Sequence, residues 1–207
     1  MEDVTNVCVT EYIPTIYTRK CTLNYTLNNK EKSCDLFAER PGVVIIIYNK
    51  TRNVLVLVKQ FRPSSYFQQI PDEEVFDGEV DTNKYKPEIG VTLEFCAGLE
   101  DKNISTEEIA IEEIYEECGY DVKKDNLERI TQICNLSTTT GARSTFYYCE
   151  VTDDMRVSEG GGVEGENVEV VEMKVGDVIN YANQTCVPSP VCFLFGLHWF
   201  LFNKYNK

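Results

Sequence analysis

The chain has 207 residues, with 34 acidic and 20 basic side chains and a formal net charge of −14. That length sets one domain with at most a small appendage, and that charge repels a phosphate backbone, so no nucleic-acid partner is expected. A small anionic substrate stays open, because a divalent cation can bridge acid to acid.

The opening stretch, "MEDVTNVCVTEYIP", carries neither the basic nor the apolar region of a secretory signal, so a cytoplasmic protein is expected. Nine cysteines fit that setting: they are scattered, odd in number and without a C-x-x-C, and most should be small buried hydrophobes. With a single histidine, a structural zinc site is not expected. "KCTLNYTLNN" and "EKSCDLFAE" alternate on either side of Asn28-Asn29, which predicts two strands and a turn. Residues 1–40 are therefore assigned to a β appendage and 41–207 to the main domain. Val43 to Tyr48 and Val54 to Phe61 are apolar and β-branched, predicting a buried hairpin that Pro63 ends. Residues 64–90 are polar and aperiodic and read as a long loop. "VTLEFCAGLED" predicts a strand entering a turn at Gly98.

Ser105 and Glu108 form a capping box and Gly119 a C-terminal cap, so residues 105–119 should be a helix. Its apolar face holds Ala110, Ile111, Ile114 and Cys118. "LERITQIC" and "RSTFYYCEV" read as strands, "SEGGGVEGEN" as a glycine-rich loop and "VEVVEM" as a further strand. "VGDVINYANQ" and "PVCFLFGLHWFLFNKY" read as helices, the second mostly buried; its run Val191 to Phe202 is too short to span a bilayer, and no membrane partner is expected. His198, within it, should be a core or interface residue. The order of elements lacks a regular βαβ rhythm, which makes the chain α+β, a mixed sheet covered by helices.

The predicted helix gathers like charge. At about 100° per residue, Glu113, Glu116 and Glu117 share roughly one third of its circumference. Exposed glutamates four apart cost about 0.2–0.5 kcal/mol, and no basic neighbour offsets them in sequence. Acid-rich helices are commonly solvated faces. Convergence after a strand and a glycine instead points to a hard divalent cation, Mg²⁺, Mn²⁺ or Ca²⁺.

"GLEDKNISTEEIAIEEIYEECGY" resembles the Nudix box, G-x5-E-x7-R-E-U-x-E-E-x-G-U with U a bulky apolar residue. Gly98, Glu113, Ile114, Glu116, Glu117, Gly119 and Tyr120 fall on its positions. Ile104 replaces the first glutamate and Glu112 the arginine, which in the family helps hold the catalytic glutamates; Lys102 or Arg129 is expected to compensate by approaching the helix. "LVLVKQFRP" and "LEFCAGL" are similar to segments of the nucleoside-diphosphate-sugar branch. "NLSTTTGAR" lacks the proline usual in ADP-ribose hydrolases, which tilts the resemblance towards UDP-sugars.

The resemblance implies an α/β/α sandwich and a Mg²⁺-dependent (or Mn²⁺-dependent) enzyme that hydrolyses UDP-glucose to UMP and glucose 1-phosphate. Two alternatives remain at this point: an ADP-ribose diphosphatase giving AMP and ribose 5-phosphate, and a non-catalytic nucleotide-binding module. Glu113, Glu116 and Glu117 would be metal ligands, joined by the carbonyl of Ala97, which a tight turn at Gly98 would aim at the site. Glu164 and Glu166, on the glycine-rich loop, are candidate general bases. Arg62 would grip phosphate, with Arg143 a second choice and Glu94 a ligand or substrate contact. Tyr17, Tyr66 and Phe67 are candidates for stacking on the base. A homodimer is also implied, the β appendage reaching the partner's site.

Overall fold

The computed structural model describes the chain except residues 1–3, 16–17, 76–77, 138, 164 and 206–207. Strands β1 (Thr18–Leu27) and β2 (Lys30–Glu39) pair antiparallel in a two-stranded sheet of their own. Asn28 and Asn29 turn between them at φ 52° and 59°, the left-handed values that a tight hairpin needs and asparagine tolerates.

A seven-stranded mixed sheet forms the body. β3 (Gly42–Asn49) lies parallel to β8 (Arg143–Val151), which pairs antiparallel with β7 (Leu127–Cys134). β4 (Val54–Phe61) runs antiparallel to β9 (Val168–Lys174) along most of its length. The expected β3–β4 hairpin forms, with pairing at Ile47–Asn49 against Val54–Val56. Beyond it the strands part. β5 (Val91–Glu94) continues beside β4, and β6 (Cys96–Leu99) continues beside β3. The single predicted strand over this stretch is thus two strands. Between them Phe95, buried, packs on Phe193 at 4.6 Å between ring centroids. Gly98 sits inside β6, opposite Val43, rather than in a turn.

Alternation within the buried strands separates two cores. Val43, Ile45, Ile47, Val56 and Val58 face helix α2 (Thr106–Cys118), meeting Ile109, Ala110, Ile114 and Cys118. Val44, Ile46, Leu55 and Leu57 face the other way, with Phe193, Leu197 and Phe200 of helix α4 (Val191–Phe200). This is the α/β/α sandwich; to keep chain order, the short helices Pro63–Phe67 and Val178–Ala182 are α1 and α3.

Three expectations change. The stretch 64–90 is not a bare loop: it begins in α1, adds 3₁₀ turns, and holds a satellite core of Tyr66, Ile70 and Val80. α4 is only half-buried, with Val191, Phe195 and His198 on its outer side. His198 is therefore not a core residue; its Nδ1 meets the Leu194 carbonyl 2.7 Å away, one helical turn back. Three cysteines, Cys96, Cys118 and Cys149, are buried, whereas Cys8, Cys21, Cys134 and Cys186 are exposed. No helix among the described residues is long and apolar enough to cross a membrane.

Candidate active site

Where β3 and β4 part, a cavity of about 740 Å³ opens, a volume suited to a small-molecule ligand. The end of β4, the strand β6, helix α2 and the loop before β9 surround it.

Helix α2 is fixed at both ends. The Ser105 hydroxyl accepts from the Glu108 amide, and the Glu108 carboxylate accepts from the Ser105 amide at 2.8 Å. At the other end Gly119 has φ 74°. Two carbonyls left open by the helix end are then capped from the glycine-rich loop: Gly161 N–H donates to Glu117 O at 2.8 Å, and Gly162 N–H to Glu116 O at 3.0 Å. That loop is thereby docked on the carboxylate-bearing turn of the helix. Its glycines let backbone meet backbone, since a Cβ on Gly160 would sit 2.2 Å from Glu117 O.

Glu113, Glu116 and Glu117 all reach the cavity. Glu117 is 5% exposed, and its Oε2 accepts the Ala97 N–H at 3.0 Å. Burial pushes its carboxyl up to about 7, against the pull of that hydrogen bond. Glu113 is pushed up to about 8 by burial first, then by Glu117, Glu166 and Glu116. A Cβ on Gly98 would lie 1.9 Å from Glu113 Oε1. Glycine is needed there for room, so that the Glu113 carboxylate can lie flat on β6.

Lys102 pairs with Glu112 at the edge of this group. One of the two departures from the box lies here: Glu112, where the box has an arginine, takes a cation from the loop, while Ile104, the other departure, is apolar and has no part in the pair. Arg129 lies on β7, opposite Tyr147.

Across the cavity, Arg62 donates from Nε and Nη2 to the two Glu94 oxygens, both at 2.7 Å. Thr92 Oγ1 donates to Glu94 Oε1 at 2.6 Å. Glu94 is 6% exposed and acts as the holder of Arg62; it is not among the cavity-lining side chains. Glu166 lines the cavity, with its Oε2 turned back to the Val163 N–H at 3.3 Å. Glu164 and Tyr17 lie outside the described residues.

Other expected contacts lie elsewhere. Arg143 opens β8, exposed, away from the cavity wall. Tyr66 is buried in the satellite core, its hydroxyl bonded to Tyr85 O, and Phe67 is exposed outside the cavity. Both aromatics fall on α1, whose contacts turn Tyr66 inward.

Among the described residues no three acidic, cysteine or histidine side chains converge into a ready-made metal cage. The donor set nevertheless suits a hard cation: carboxylates at Glu113, Glu116 and Glu117, crowded and half-buried or buried, gain from a positive charge between them.

No family model matches the chain. It is 37% identical to the uridine diphosphate glucose pyrophosphatase NUDT14 of Bos taurus, over 97% of this chain and 95% of that protein. Its identity to the protein of that name from Mus musculus is 34% over the same shares. A GDP-mannose pyrophosphatase of Pectobacterium atrosepticum is 31% identical over 72% of this chain and 67% of its own. With that similarity, the sandwich and the E-x-x-E-E turn facing its cavity, the chain belongs to the Nudix hydrolase family.

Proposed function

We propose that the protein is a Mg²⁺-dependent UDP-sugar diphosphatase, splitting UDP-glucose into UMP and glucose 1-phosphate. The observation that carries this reading is one cavity with two unlike walls: crowded carboxylates on α2, and opposite them a guanidinium anchored by Glu94. Similarity over 97% of the chain to proteins named for UDP-glucose supports the substrate.

Arg62 commits Nε and Nη2 to Glu94, which leaves Nη1 for a phosphate oxygen in a fixed direction. Glu113, Glu116 and Glu117, with the Ala97 carbonyl, would hold Mg²⁺, or Mn²⁺ in its place. When bound, the metal neutralises diphosphate charge and lowers the pKa of a water. Glu166 would take a proton from an attacking water as the water's oxygen bonds to one phosphorus and the bridging P–O bond breaks, the leaving phosphate keeping that bond's electrons. The docked glycine loop brings Glu166 to the carboxylate wall.

A homodimer belongs to the same reading. One face of the β1–β2 ribbon carries Cys21, Leu23, Tyr25, Leu27 and Leu36, and the other is polar apart from Phe37, which meets Tyr12. Leu23, Tyr25 and Leu27 are exposed, and a second copy would cover them. Nine cysteines with no disulfide among the described residues support the cytoplasmic part.

The test is a product assay with Mg²⁺, offering UDP-glucose, GDP-mannose and ADP-ribose separately. UMP and glucose 1-phosphate formed fastest is the expected result. Faster release of GMP or AMP moves the substrate and keeps the chemistry; no hydrolysis of any of them overturns the enzyme reading.

A further inference from the structure

The segment ahead of β1, expected to serve a partner's site, reaches the cavity of its own chain. Val4 lies in the cavity wall together with Phe61 and Arg62. A backbone bridge, with its two hydrogen bonds, and an apolar contact hold the segment there. Cys8 and Glu79 form an antiparallel bridge. Val80 N–H donates to Val7 O at 3.0 Å, and Val9 N–H donates to Gly78 O. Val7 packs on the satellite core of Tyr66, Ile70 and Val80, which also supports Phe61. Gly78 is fitted to this contact: φ is 82°, and a Cβ would stand 2.6 Å from Val9 O.

We propose that Val4–Val9 is a strap completing the substrate cavity within its own chain, with Val4 forming an apolar wall against the uncharged ring next to the phosphate held by Arg62. This inference rests on the nucleotide-sugar reading of the site. The physical case is one of position and chemistry. The opposite wall is anionic and suits the metal-bridged diphosphate, whereas a valine side chain offers nothing to a charge and removes ring surface from water. The stretch 64–90 then has a purpose beyond its own small core: it is the edge on which the strap is laid.

Two variants test it without touching the carboxylates or Arg62. Val4→Asp puts a charge in the wall. Gly78→Val lifts the whole strap by blocking Val9 O. Amide exchange at Val80, whose N–H ties the strap down, reports whether it has been released, independently of turnover. Both variants should raise KM for UDP-glucose about tenfold, the effect of losing one partly buried valine contact, with kcat little changed. Inhibition by methylenediphosphonate, which has the phosphates without the rings, should not move. A released strap with unchanged KM overturns the inference. So does an equal loss of the ringed and ringless ligands, which would mean a distorted metal site. A wild-type protein that splits no nucleotide sugar overturns the functional reading instead, and with it the ligand assigned to the wall.

Discussion

The two walls of the cavity each bury a glutamate to the same degree, Glu94 at 6% exposure and Glu117 at 5%. Their surroundings differ. Glu94 has a guanidinium on both oxygens and a threonine hydroxyl besides. Glu117 has one backbone amide and the Cys96 thiol, with Glu113 and Glu166 adding negative charge nearby and Arg62 attracting it without a hydrogen bond. Burial alone therefore does not mark a working carboxylate. The lack of a cation in direct contact does, because a buried charge held only by distant cations gains most from one brought in from outside.

The largest expected difference is in turnover. Glu116→Gln and Glu117→Gln should each lower kcat by roughly 10²–10³-fold, with an unchanged far-ultraviolet circular dichroism spectrum. Glu94→Gln should act through KM instead, since it loosens Arg62 and leaves the metal wall intact. If Glu94→Gln lost kcat as Glu117→Gln does, the two walls would not be distinct. Next in size is stability. Arg62→Ala strands a buried carboxylate and should cost about 1–3 kcal/mol in urea unfolding. Arg62→Lys should not restore it, because an ammonium cannot make the two-pronged contact.

Much of this site is legible in sequence because it is local. The capping box, the glycine cap and the spacing Glu113, Glu116, Glu117 all lie in one helix, and helical geometry alone puts the carboxylates on one side. What sequence misses depends on distant pairs. Glu94 carries no sign that Arg62 will claim it, 32 residues away. Gly98 looks like a turn because glycine usually buys backbone freedom; here it gives space, and only the approach of Glu113 shows that. Tyr66 and Phe67 have the chemistry for stacking, but the satellite core takes Tyr66. The β3–β4 hairpin is read correctly from its apolar runs, while its splaying follows from β5 and β6 inserting, which no local pattern records. His198 and its helix misled because an all-apolar sequence does not say which side faces out.

The uncompensated wall also predicts a pH effect in chelator-treated protein. Glu113 and Glu117 titrate near 8 and 7 when folded, against 4.5 ordinarily. Between those limits the folded state holds more protons than the unfolded one. Stability is therefore highest below about pH 5 as far as this pair is concerned, and falls as pH rises through 7 and 8. Thermal unfolding from pH 5 to 9 should show that decline, and saturating Mg²⁺ should flatten it. Glu113→Gln should raise the metal-free midpoint at pH 8 while lowering activity. A metal-free midpoint independent of pH would show that the wall is already neutralised.

The smallest effect expected, and the sharpest in logic, concerns Lys102 and Glu112. Their side chains are 50% and 43% exposed, and an exposed pair is worth only about 0.2–1 kcal/mol. Its place matters more than its strength, because Glu112 immediately precedes Glu113, and Lys102 lies on the loop that leads from β6 into α2. Lys102→Glu adds an acid beside four others and should lower kcat/KM severalfold at limiting Mg²⁺; Glu112→Lys sets two cations against each other and should also lower it. Combining them restores attraction with the signs exchanged, loop anion to helix cation, and puts a basic residue back at position 112, where the Nudix box has one. Recovery in the double variant, measured as kcat/KM across a Mg²⁺ titration, would show that the contact braces the helix and that polarity is free to invert. Additive losses would show that each charge acts separately on the neighbouring glutamates, so that the inverted pair replaces nothing.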